Sequence, residues 1–572
     1  MKISFKMFAA VALATAATGC KSFLDINDNP NQPTAVAPDA ILAQALTITA
    51  QNYTGGTPSA QNNFNSYASW AASYWGKTAV VSGFGEELTY NYSSNFYAAL
   101  WSGTFDNLND YNLIQINGAA NYPYHAAIAR IMKVYNFQLL VDEYGDIPYS
   151  QALLGIANVT PKYDKAADVY KDLLVQLDGA ISDINKTKAS ATATFTPRAV
   201  SSEDIIFGGD MKKWKQFANS LKLRILLRES QTGDAALNAT VKTQLAALQT
   251  SSAADGFISA DVVAQPTYAQ AASQQNPLYN RYAYTPAGSN ATERSYQIPT
   301  QFILNQYLQN RDPRISQLYT KGQRVLFPDD EVKADTLSQY VGSVPGESNP
   351  PNVVLPLIGS RFLGANAEGV TGGFFKGVSS PTALMLLSEH LFSKAEAEAL
   401  GLFPSGDAKA DYLAAIQASF SYFYRSGTAS TSTVAGTDQY NQYIAANPNN
   451  GLVDWEATTT TVPQYRGTFT ERADKSLALD TTRLTAPRTV SKQEKIVYQK
   501  YLALNTVAST ESWSDYRRTG FPKLAFSSQS SSPRADKLAT RLLYPQSEIN
   551  TNNTNIPAGV TQFTKIFWDS VD

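Results

Sequence analysis

Between residues 164 and 186, Tyr170, Leu173, Leu174, Leu177, Ile181 and Ile184 recur at i, i+3, i+4 and i+7, which lays one apolar stripe along an α-helix. The same period returns along the chain. A helix is expected to open at Pro38-Asp39 and carry Ile41, Leu42, Ala45 and Leu46. A second runs from Phe96 to Gly118 with Leu100, Trp101, Phe105 and Leu108 on one face. A third carries Ile128, Ile131, Met132, Tyr135 and Leu139 and stops at Gly145, with Pro148 just beyond. Further helices are predicted over 211–230, 382–400, 408–424 and 491–506. The breaker-rich LFPSGD between 400 and 408 is short enough to fold its two helices back as an antiparallel hairpin. The fold class read from these periods is mostly α, a scaffold of helix pairs resembling tetratricopeptide units. It is interrupted by loop-rich inserts at about 54–95, 255–380 and 426–490. Inserts that long inside a compact protein usually carry its function.

Composition narrows the chemistry. The 572 residues include two histidines, His125 and His390, and one cysteine, Cys20, too few for a zinc site of Cys/His type and too few for a disulfide. Charged residues make up 16% of the chain and the net charge is −2, so there is no broad basic surface for nucleic acid. No metal ligand set and no cofactor is expected. Trp75-Gly76-Lys77-Thr78 contains a GKT, but Ala71 stands where a phosphate loop needs Gly. The run from Asp25 begins like a calcium loop, yet Pro30 replaces its turn Gly and Val36 its closing Glu. His125 and His390 read as helix-packing or surface residues. The carboxylate pairs Asp142/Glu143 and Glu396/Glu398 are no better placed for glycosidic chemistry than other acids of the chain.

The N-terminus reads as a targeting segment. Lys2 and Lys6 precede an apolar run from Met7 to Ala17, which is too short to span a bilayer. The following A-T-G-C resembles a bacterial lipobox, with cleavage before Cys20 and acyl chains (palmitate) placed on its sulfur. Residues 1–19 are therefore expected to be a lipoprotein signal peptide. Residues 20–37 would be the lipidated Cys and an extended tether, and 38–572 a single domain.

The informative excess is aromatic. Phe64, Tyr67, Trp70, Tyr74, Trp75, Phe84, Tyr90, Tyr92, Phe96 and Tyr97 crowd the first insert among Asn, Ser and Gly, and Tyr279, Arg281, Tyr282, Tyr284 and Tyr296 form a second cluster. A sugar offers an apolar CH face to an aromatic plane and hydroxyls to amide, carboxylate or guanidinium groups. Trp75, Tyr90, Tyr92, Tyr282, Tyr284 and Arg281 are the candidate ligand-binding residues. Trp101 shares a stripe with Phe105 and is expected in the core, as are Trp70 and Tyr74 at helical spacing. For Trp75 and Tyr92, packing and ligand contact are both open.

Several segments together resemble the SusD/RagB family of nutrient-binding outer-membrane lipoproteins: CKSFLDINDNPN at the anchor, WSGTFDNLNDYN at 101–112, VDEYGDIPYSQAL at 141–153, KKWKQFANSLKLRILLR at 212–228, ESWSDYRRTGFP at 511–522 and RLLYPQSEIN at 541–550. The mature start F-L-D-I-N-D-N-P-N is similar to that of a SusD-like branch. The resemblance implies four tetratricopeptide-like helix pairs with loop inserts building a binding face. It also implies a non-enzymatic protein, lipid-anchored in the outer membrane and facing the exterior. Such a protein captures oligosaccharide, or peptide in some members, and acts as the lid of a SusC-type TonB-dependent transporter. YGDIP and RRTGFP are expected to be scaffold. A glycoside hydrolase and a pure assembly scaffold are the other readings.

Overall fold

The computed structural model describes residues 36–571 except 58–61, 119, 191–195, 323–339, 348–349, 351–361, 363–375, 426–434, 462–468, 472–476, 480–486 and 532–537. Residues 1–35, which include Cys20 and the stretches expected to be signal peptide and tether, lie outside the described residues, as do parts of the second and third inserts.

The architecture is mostly α-helical. The longer helices are α1 (Pro38–Tyr53), α2 (Phe64–Ala71), α3 (Ala99–Gly118), α4 (Pro123–Tyr144), α5 (Ala166–Ser190), α6 (Met211–Arg228), α7 (Ala235–Ser251), α8 (Leu387–Ala399), α9 (Ala408–Tyr424), α10 (Lys492–Leu504) and α11 (Ser509–Thr519). Their starts follow local chemistry. Pro38 and Pro123 occupy the first helical position, where no N–H is needed. Asp210, Asp234, Asp407 and Ser491 each accept hydrogen bonds from otherwise orphaned N–H groups of the first turn. Sequence neighbours pack as pairs, α3 on α4, α4 on α5 and α8 on α9. The stripe read at 164–186 is the buried face of α5, with Tyr170, Leu173 and Leu177 sealed against the core. Trp101 is buried with its ring 5.0 Å from Phe105.

A buried ionic web ties the helix pairs together. Arg224 of α6 donates to Glu389 of α8, and Arg228 pairs with Asp142 of α4 and Glu511 of α11. Arg517 reaches Glu143 at 3.2 Å and donates to the Asp142 carbonyl. Arg518 grips Glu396 through two bonds of 2.6 and 2.8 Å, and Lys500 pairs with Asp515. Arg517, which opens RRTGFP, thus grips the two residues just before YGDIP, and Asp142, Glu143 and Glu396 are held by arginines. His125 contacts Glu203 at 3.0 Å. His390 packs 5.1 Å from Phe257, and burial holds its imidazole down at about 3.

Several elements differ from the periodicity reading, among them α7, which it does not include although Val241, Leu245 and Leu248 lie buried at helical spacing. The first insert holds α2 and the strand β1 (Trp75–Lys77). The sequence of α2, FNSYASWA, has no polar stripe because nearly every side of it faces protein. α11 reads as a charged segment, yet Ser509 to Arg518 are buried, since its charges find partners inside. Residues 382–385 form a strand, so the helix expected from 382 begins at Leu387.

Small antiparallel ladders pin the inserts onto the helices. In chain order after β1 come β2 (Val262–Ala264), β3 (Gln297–Pro299) and β4 (Thr382–Met385), with β1 on β3 and β2 on β4. The register Trp75↔Pro299, Gly76↔Ile298 brings the first aromatic insert against the second. Among the described residues no helix is long and apolar enough to cross a membrane.

Candidate functional site

The first insert is held from below. The Asn65 amide donates to the Thr506 carbonyl and its oxygen accepts from the Ser509 N–H, while the Ser69 and Ser509 hydroxyls bond at 2.8 Å. Asn63 and Ser66 form a reciprocal capping box at the start of α2. Tyr74 lies flat on Tyr501, with 4.5 Å between ring centroids. On this base the chain from Gly83 to Tyr97 makes an exposed rim.

The rim encloses a cleft of about 560 Å³. Phe84, Phe96 and Tyr97 supply its rings, Asn62, Asn91 and Asn95 its amides, and Glu86 and Glu87 its carboxylates. Phe84, Tyr90 and Tyr97 all adopt left-handed backbone, at φ 66°, 55° and 53°. That conformation is uncommon for bulky side chains, and such strain clusters at ligand sites. Glu86 accepts from the Ser93 N–H at 2.7 Å, which fixes the turn. Burial pushes the Glu87 carboxyl up to about 7, and no ion pair to Glu87 occurs among the described residues. The cleft thus offers the half-buried Phe84 ring, with Phe96 and Tyr97 packed behind it, beside neutral amides and a carboxyl able to hold its proton near neutrality.

The six residues singled out from the sequence fall into two groups. Trp75, Tyr90, Tyr92 and Tyr282 are packed, which corrects the expectation that they present open faces. The Trp75 indole donates to Thr506 at 3.0 Å and is 2% exposed. Tyr282, also 2% exposed, lies edge-on to it. Tyr92 stacks on Phe96 at 4.3 Å, and the Tyr90 hydroxyl accepts from the Ser527 N–H. For Trp75, Tyr92 and Tyr282 the physical reason is that in an aromatic-rich insert a ring's cheapest partner is another ring, whereas Tyr90 is held through its hydroxyl. Tyr92 backs the cleft through Phe96, and Trp75 and Tyr282 join the two inserts beneath it.

Arg281 and Tyr284 are half-buried. Arg281 pairs with Glu293 at 2.8 Å and its guanidinium lies 5.3 Å from the centre of the Tyr282 ring. Arg294 stacks over Tyr284 at 4.6 Å. Arg281 lies within electrostatic reach of Tyr97, so the second cluster adjoins the cleft. Phe84, Phe96 and Tyr97 stand in the sequence's aromatic run but were not singled out. One signal for Phe84 is legible: a ring set between Gly83 and Gly85 has no helical stripe to join.

Known proteins share this architecture. Residues 30–545 match the SusD-like family model described as "Starch-binding associating with outer membrane". A chitin-binding SusD homolog from Flavobacterium johnsoniae superposes with a TM-score of 0.66 at 20% identity, covering 94% of this chain and 99% of that one. A SusD-like protein from Bacteroides thetaiotaomicron gives 0.65 at 19% identity, covering 93% and 98%. A SusD homolog from Bacteroides uniformis gives 0.64 at 23% identity, covering 92% and 99%. No curated protein sequence matches. With the family model spanning nearly the whole chain and the helix-pair architecture shared end to end, the chain belongs to the SusD-like family.

Proposed function

We propose that the protein binds nutrient glycan at the outer membrane and passes it on chemically unchanged. The observation that carries this reading is the cleft at 83–97, where the half-buried Phe84 ring, backed by the buried rings of Phe96 and Tyr97, stands beside amides and carboxyls with room for more than one sugar unit. Each aromatic contact is worth roughly 0.5–1.5 kcal/mol. One such contact with several hydrogen bonds gives a Kd of about 1 mM after the ordering cost. The chitin-binding description of two structural relatives supports a glycan over a peptide ligand. Asp142, Glu143 and Glu396 are held in buried arginine pairs and do not line the cleft, whose own carboxyls are Glu86 and Glu87.

In this reading residues 1–19 direct export, Cys20 carries the lipid, and the body faces the cell exterior. It closes as the lid of a SusC-type TonB-dependent transporter, so that two weak faces act jointly on one ligand. Calorimetric titration against neutral chito-, malto- and cello-oligosaccharides, with a peptide panel alongside, tests the ligand class. Heat with at least one glycan series is expected; heat with peptides alone would reverse the assignment. Co-purification with a TonB-dependent receptor from native membranes tests the lid role.

A further inference from the structure

Beside the cleft lies a smaller cavity of about 270 Å³, between the turn at Gly55-Gly56-Thr57 and the segment from Ser273 to Glu293. The turn is fixed in place: Gly55 has φ +81°, and a Cβ there would stand 2.3 Å from the carbonyl carbon of Pro277. Most of the lining side chains are polar. Gln275, 4% exposed, has neither its amide nitrogen nor its oxygen paired, and the Thr285 hydroxyl is likewise without a partner. Arg281 uses Nη2 on Glu293, while its buried Nε and Nη1 have no acceptor. Glu293 is already engaged, by Arg281 and by the amide of Gln297 at 3.2 Å.

Buried polar groups left unpaired are expensive, and a guanidinium most of all. The unmet groups are mainly donors, and a cation bears two of them. A carboxylate answers these best, since it is acceptor-only and carries charge opposite to the guanidinium. The Gln275 oxygen and the Thr285 hydroxyl call in addition for hydroxyl groups next to that carboxylate. Pro277 and Ala291 alone supply apolar side chains to the wall, too little to hold a peptide side chain. We propose that this cavity is a second ligand site, which takes an acidic sugar unit by its carboxylate and a neighbouring hydroxyl. The proposal rests on the reading of this face as glycan-binding, and makes uronate-containing glycans its substrate class.

Titration of the full chain with glucuronate and galacturonate, against glucose, galactose and a dipeptide, tests it. Uronates are expected to bind about tenfold or more tighter than their neutral counterparts. Arg281→Gln would strand Glu293, so Gln275→Glu and Gln275→Leu are the informative variants. The first sets a carboxylate against the ligand's own and the second removes both amide contacts; each is expected to weaken uronate binding about tenfold or more. Neutral sugars binding as well as uronates, the dipeptide binding better, or uronate affinity unmoved by both variants would overturn the proposal. Heat with neutral oligosaccharides and none with uronates removes this inference and leaves the glycan-binding reading standing.

Discussion

The indole of Trp75 meets the ring of Tyr282 edge-on, with 5.1 Å between centroids, and so locks the first aromatic insert to the second. Directly below, the indole N–H is anchored on Thr506, just before α11. The contact makes the two inserts one body, which places the cleft and the neighbouring cavity on a common face.

Trp75→Ala is therefore expected to destabilise the fold, by about 3–5 kcal/mol as for other buried large-to-small changes. A thermal melt of native and variant chains checks it. A melting temperature within a degree of the native value would mean the ring is not structural.

Arg518→Met is expected to cost about 3–5 kcal/mol, because Glu396 would stay buried without its counter-charge. The paired change Arg518→Met with Glu396→Leu should recover most of that loss in urea denaturation. Failure of the double variant to recover would assign the cost to packing or to Asp515, which Arg518 also pairs at 2.9 Å, and not to the stranded Glu396.

Glu87 gives a pH signature. Its folded-state carboxyl keeps a proton up to about 7, whereas the unfolded chain loses it near the ordinary value of 4.5. Between those values the folded state binds more protons, so this residue's contribution to stability falls as pH rises through that window. Glu87→Gln should match the native melting temperature near pH 4 and exceed it at pH 8. An equal difference at both pH values would contradict the buried, unpaired carboxyl.

The scaffold was legible in the sequence because amphipathic helices announce themselves. The stripes on α1, α3 and α5 mark one buried face each, the stripe of α4 runs into a second half buried on every side, and Pro38, Pro123 and Gly145 punctuate helix ends. α2 and α11 were not legible, since a helix buried on all sides has no stripe and α11 hides its charges in partners fixed only by tertiary structure. The sequence marks the aromatic insert as a region but not the packing of each ring. Trp75 and Phe84 share composition and neighbourhood; what separates them is that one lies under Tyr282 and the other, half-buried, on the rim against Trp70. Sequence periodicity has no access to that distinction.

The most direct test compares native protein with Phe84→Ala in titrations with one neutral oligosaccharide that binds, followed by chromatography of the recovered sugar. The account predicts an affinity loss of about fivefold to tenfold in the variant, an unchanged fold by circular dichroism, and ligand returned at its original length. Undiminished affinity in Phe84→Ala, or shortened sugar after incubation with the native chain, would contradict it.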